Sequence, residues 1–132
     1  NTLPGADNTF SLGSVSVRWT EVYANNGTIQ TSDSTLKTNV KDLNYGLGQV
    51  LQMNPVSFQW KNDSTTQKIG FIAQEMQSLV PEVITETEGV YGMNYAELTS
   101  VLVKAIQELE GRVKALEKEN EKLRQGKASA MK

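Results

Sequence analysis

"NYAELTSVLVKAIQELEGRVKALEKENEKLRQG", residues 94–126, is the stretch on which the fold turns. Leu102, Leu109, Leu116 and Leu123 recur every seven residues, and Ile106, Val113 and Asn120 recur every seven between them. With the leucines at d, the second set falls at a, the pattern of a helix whose apolar seam faces other helices. Gly111 then falls at f, towards solvent, where a poor helix former does least harm. Asn94 is placed to cap the helix, Glu97 three residues on completes an Asn version of the capping box, and Gly126 is a natural stop. The flanking charges match. In a parallel coil, Arg112 at g meets Glu117 at e of a neighbour, and Glu119 meets Arg124. Asn120 at a fixes the register at some cost in stability. The competing reading is one amphipathic helix packed on its own domain; sustained heptads with matched e and g charges count against it. Ile and Val at a with Leu at d fit a two-stranded coil and leave a three-stranded one open.

Upstream, residues 32–93 read as a small mixed α/β head. Leu43, Leu47, Val50 and Leu51 have helical spacing, weakened by Gly46 and Gly48, and Asn54-Pro55 ends that element. Val56, Phe58 and Trp60 alternate with polar residues as a half-buried strand. "KNDS" (61–64) reads as a turn and residues 69–72 as a second strand. Ala73, Met76, Leu79 and Val80 suggest a short helix stopped by Pro81. "EVIT" and "GVYGMN", joined by "ETEG", form a hairpin pattern. Residues 1–31 are rich in Gly, Asn, Ser and Thr. Short alternations there (Val15, Val17, Trp19, then Val22 and Ile29) and the turn signal "NNGT" point to short strands without a core of their own. The polar start reads as a piece of a longer chain. Residues 127–132 read as a flexible tail.

Composition narrows the chemistry. A net charge of −2 over 132 residues and a pI near 5.2 argue against a nucleic-acid binder. No apolar run is long enough to span a membrane. With no cysteine and no histidine, disulfides, thiol nucleophiles, Cys/His zinc sites and imidazole catalysis are excluded. No metal or other cofactor is expected, and no phosphate-binding Gly-rich loop is present. Proton transfer near neutral pH is left to a carboxylate, lysine, tyrosine or water. A glycan hydrolase with paired carboxylates fits poorly, because the acidic residues cluster mainly on the helix.

"TSDSTLKTN" (31–39) holds Ser32 and Lys37, five positions apart. That offset does not put two side chains on one helical face. They meet only if Ser32 lies in an extended or turning segment and Lys37 begins the next element, and Asp33, Ser34 and Thr35 favour such a turn. On these residues alone, Ser32 and Asp33 read as a polar turn and Lys37 as a solvated charge.

Several phrases together resemble one family. "LGSVSVRWTEVYANNGTIQTSDSTLKTNV" (12–40) resembles the junction where a strand-rich phage fibre passes through a Ser-Asp-x-x-x-Lys segment into a C-terminal module. "GFIAQEMQSLVPEVI" (70–84) and "GMNYAELTSVLVKAIQELE" (92–110) resemble the body and helix of that module. The family is the intramolecular chaperone domain of endosialidase-type tailspikes, found also on phage neck appendages and on a membrane-bound transcription factor. The resemblance covers about residues 11–125.

It implies an α+β fold: a β-helical stalk end over 1–31, the α/β head, and a parallel trimeric coiled coil with Leu102, Ile106, Leu109, Val113, Leu116, Asn120 and Leu123 in the interface. It implies an intramolecular chaperone that templates the upstream stalk of its own chain. That module then acts once, in cis, as an autocatalytic serine endopeptidase. Ser32 is the implied nucleophile, Lys37 the general base and Thr31-Ser32 the cut bond. The implied partners are two further copies of the chain and its own stalk, with no nucleic acid or membrane. The implied setting is the host cytoplasm during virion assembly, with release from the finished appendage. Auxiliary candidates are Asp33, which orients Lys37 or caps the next element, and Gln74 and Glu75. Glu75 reads chiefly as a helix start; Gln74 stands evenly between that and contact with the cleavage segment or a neighbouring chain. This chain departs from the family in having no basic residue among Ser34, Thr35 and Leu36. The alternative is a non-catalytic coiled-coil adaptor.

Overall fold

The computed structural model describes residues 3–7, 9–14, 17–19, 21–23 and 32–132. Before Ser32 none of the described residues lies in a strand, and Val17, Trp19 and Val22 are exposed. Val15, Ile29, Thr31 and the "NNGT" turn lie outside the described residues.

A 3₁₀ turn over Ser34–Leu36 is followed by the short helix α1, Leu47–Val50. Strands β1 (Val56–Trp60) and β2 (Asp63–Gly70) then pair antiparallel, with Val56 opposite Gly70 and Phe58 opposite Lys68. A bulge beyond Phe58 sets Trp60 against Asp63, and the Phe58 and Trp60 rings meet edge to face at 5.2 Å. β2 starts earlier than the expected strand over 69–72, so only Lys61 and Asn62 form the turn. The cause is local. The Asp63 carboxylate accepts from the Thr65 amide and hydroxyl and from the Thr66 amide, and β-branched threonines suit an extended chain. Ile69 lies on the strand's open face, 85% exposed, and Ile72 precedes α2 (Ala73–Met76).

After α2 the chain turns at Pro81–Val83 into the hairpin of β3 (Ile84–Thr87) and β4 (Val90–Met93). Its two-residue turn places Glu88 and Gly89 at φ 52° and 77°, the double positive φ that matches strand twist. Glu86 and Thr87, expected in the connection, therefore belong to β3.

The last element, α3, runs over Leu98–Ala130. The Asn94 side chain accepts from the Ala96 amide and donates to the Glu97 carboxylate. The Asn94 amide itself donates to the Val83 carbonyl. The expected capping box therefore does not form: Val83 takes the Asn94 amide, a turn over residues 95–97 precedes the helix, and the N-cap position falls on Glu97, whose side chain makes no cap bond. Gly126 does not stop α3. The ladder continues to a bond from the Met131 amide to the Lys127 carbonyl, so residues 127–130 are helical rather than the expected tail. Ala128, Ala130 and Lys127 are strong helix formers, and an internal glycine costs only about 1 kcal/mol.

One core joins these pieces. Met76, Val80, Val83, Leu98 and Val101 are buried together, with Leu43, Tyr45, Val50, Phe71, Leu79 and Met93 packed around them. Each of the five buried side chains contributes roughly 1.5–3 kcal/mol. The first turns of α3 therefore belong to the head's core. Leu98, Val101 and Ala105 form the buried stripe of α3. The heptad residues Leu102, Ile106, Leu109, Val113, Leu116 and Leu123 lie off that stripe and are between 41% and 66% exposed. The helix carries two faces, one spent on the head and one left over.

Candidate functional site

Residues 32–42 form an exposed strap ahead of the packed head. The Asp33 backbone is extended at φ −65°, ψ 132°. Its carboxylate accepts from the Thr35 amide at 2.8 Å and the Thr35 hydroxyl at 2.8 Å. The chain then makes one 3₁₀ turn, closed by bonds from the Leu36 amide to the Asp33 carbonyl and from the Lys37 amide to the Ser34 carbonyl, both 3.2 Å. Lys37 leaves the turn extended, and its Nζ donates to Ser32 Oγ at 2.9 Å. Fully extended, five residues would carry the two Cα atoms roughly 17 Å apart, beyond a lysine's reach. The Thr35 amide, then its hydroxyl, hold the Asp33 carboxyl below its ordinary pKa.

The strap rejoins the core at Leu43 and Tyr45, where the Tyr45 hydroxyl donates to the Glu82 carboxylate at 3.0 Å. That bond, which a phenolate would lose, raises the Tyr45 pKa. The amide at the start of α1, Leu47 N–H, donates to the Glu108 carboxylate of α3 at 2.9 Å, and the Gln49 side chain accepts from the Gly46 amide.

Of the residues singled out from sequence, the structure brings Ser32, Asp33 and Lys37 into one turn. Gln74 and Glu75 sit on α2; Glu75 accepts from the Asn54 side chain at 3.4 Å. Among the described residues no hydrogen bond or ion pair joins either of them, or Lys41, to Ser32 or Lys37. Thr35 and Glu108 join the site only through the fold. An Asp followed two residues later by Thr is a turn signal that points to Thr35. Glu108 sits at heptad position c, where a charge is ordinary, so nothing local marks it. Among the described residues no acidic cluster is arranged to hold a metal ion, and no helix is long and apolar enough to cross a membrane.

Residues 32–85 match the family model described as chaperone of endosialidase. These residues belong to that family. The match begins at Ser32, the serine of the turn. The chain is 32% identical over 95 residues to the long tail fiber protein Gp37 of Enterobacteria phage K3 and equally to that of phage T2, with 65% of this chain covered in each case. It spans only 8% and 7% of those proteins' lengths. The fold is also that of the carboxy-terminal domain of the bacteriophage T5 L-shaped tail fiber with its intramolecular chaperone domain. That likeness has a TM-score of 0.60 at 22% identity and covers 89% of this chain and 38% of the other. The chaperone-of-endosialidase region thus holds the turn, α1, the β1–β2 hairpin, α2 and the start of β3.

Proposed function

We propose that this chain is the intramolecular chaperone of a phage tail fibre or tailspike, a module that trimerises, aligns the upstream β-helical stalk and then cuts itself free at Thr31-Ser32. The observation that carries the reading is the 2.9 Å contact between Lys37 Nζ and Ser32 Oγ, at the residue where the family match begins. The peptidase designation of that family and the fibre proteins among the relatives support it further.

In the step itself, Ser32 Oγ attacks the Thr31 carbonyl carbon and passes its proton to neutral Lys37 Nζ. The C–N bond breaks as the Ser32 nitrogen takes up a proton. An ester then joins the Thr31 acyl group to Ser32 Oγ. Water hydrolyses the ester, leaving a Thr31 carboxylate and a free Ser32 amine. A lysine acts as base once burial or neighbouring positive charge favours its neutral form. Both groups are exposed in the single chain, so the burial comes with assembly, which makes the cut follow trimerisation. The exposed heptad seam of α3 supplies that trimer, three parallel copies with Leu102, Ile106, Leu109, Val113, Leu116, Asn120 and Leu123 inside. Assembly and cleavage take place in the host cytoplasm during virion assembly, and no cofactor takes part.

The test expresses the chain with its upstream fibre and compares wild type, Ser32→Ala and Lys37→Ala by mass spectrometry. A fragment beginning at Ser32 is expected in wild type and in neither variant. An uncut wild type that sediments as an oligomer would instead favour the coiled-coil adaptor.

A further inference from the structure

We infer that Thr35, acting through the Asp33 carboxylate, is a positioning residue for self-cleavage, because this pair closes the turn that returns Lys37 to Ser32. The inference rests on the cleavage reading above and names the part of the strap that makes it work. Ser32 and Lys37 lie on opposite ends of the single turn Ser34–Leu36. Their contact at 2.9 Å exists only while that turn is closed. Two backbone bonds of 3.2 Å close it, and no residue from the turn is buried, so packing does not hold it. A three-residue 3₁₀ turn with long hydrogen bonds is weak by itself. What remains is the clasp: Asp33 Oδ1 receives both the amide and the hydroxyl of Thr35 at 2.8 Å each. Hydrogen bonds to an ionised acceptor are the stronger kind, and an aspartate at this position satisfies an amide the turn leaves without a partner. The threonine supplies two donors from one residue. Among the described residues no hydrogen bond joins Thr35 or the Asp33 side chain to Lys37 Nζ or Ser32 Oγ, so the inferred effect runs through the turn.

The experiment follows single-turnover cleavage in the full chain with its upstream fibre, counting only trimers shown intact by sedimentation. Thr35→Val removes the hydroxyl at nearly constant shape, and the rate is expected to fall about tenfold, the loss of one hydrogen bond to a charged group. Thr35→Ser keeps the hydroxyl and is expected to cut at close to the wild-type rate. Asp33→Ala loses both bonds and is expected to be slower than Thr35→Val. In both slow variants the plateau of the pH–rate profile drops and its midpoint stays in place, as positioning requires. Wild type that cuts through Ser32 and Lys37 while Thr35→Val and Asp33→Ala keep pace overturns this inference alone. So does Thr35→Ser falling as far as Thr35→Val. A moved midpoint with an unchanged plateau also overturns it, since Asp33 would then act on Lys37 by charge. A wild type that never cuts overturns the cleavage reading and this inference together.

Discussion

At Gly70 the space for a single methyl group decides how β2 meets α3. The Tyr95 hydroxyl, just ahead of α3, accepts from the Phe71 amide at 3.0 Å, and a Cβ on Gly70 would collide with that same hydroxyl and press on Phe58. Gly70→Ala is expected to cost roughly 1–3 kcal/mol in chemical denaturation. In a Tyr95→Phe background the cost shrinks, because the colliding oxygen is already gone; additive costs would exclude the collision. Asp63 gives a second check at this scale. Hydrogen bonds from Thr66 and then Thr65 hold its carboxyl well below the usual aspartate range. A depressed pKa stabilises the folded tip above the unfolded value of about 3.9. That contribution is lost as pH falls through the folded value. A carboxyl NMR titration should therefore find Asp63 still ionised at pH 3, and an ordinary midpoint would mean the threonine clasp is open in solution. These residue-level details were partly legible. The Ser32–Lys37 spacing and the turn preference of Asp33 stand in the sequence. That Thr35 gives both its amide and its hydroxyl to one carboxylate oxygen depends on the turn being formed.

Among the elements, α3 was the easiest to read and still divided its faces in a way that periodicity leaves open. The heptads assign Leu102, Leu109, Leu116 and Leu123 to a seam, and these residues do lie off the buried stripe. The stripe of Leu98, Val101 and Ala105 sits at positions where a plain coiled coil would carry charge or small residues, because the head occupies them. Strand β1 and the β3–β4 hairpin were legible from alternation. Strand β2 begins ahead of what alternation predicts, since its threonines and Gln67 carry no apolar alternation and its one large apolar residue, Ile69, faces out. The seam makes its own prediction. Replacing the polar a residue by Asn120→Ile should raise the thermal midpoint of the assembly and loosen its oligomer number and register. Melting followed by sedimentation checks both; an unchanged midpoint would mean Asn120 is not inside a coil.

For the whole molecule, the proposed order of events is assembly, templating and release. A stalk of non-local strand pairings folds slowly, and a coil that holds three C-termini together raises their effective concentration. Once the module is cut away, a lost register cannot be recovered, and the stalk persists by slow unfolding. Trimers released by cleavage are therefore expected to show unfolding rates different from those of uncut Ser32→Ala trimers in concentrated denaturant, and equal rates would remove this role for the cut. The division between sequence and structure follows the range of the forces involved. The sequence by itself determined the heptad helix, the strand alternations and the Ser-Asp-x-x-x-Lys turn, since each depends on residues a few positions apart. Only the tertiary structure decided that Glu108 caps α1 from 61 positions away, that Tyr95 reaches back to Phe71, and that α3 shares the head's core. Those contacts arise from where a packed core brings distant segments together, and no local pattern in the chain encodes that juxtaposition.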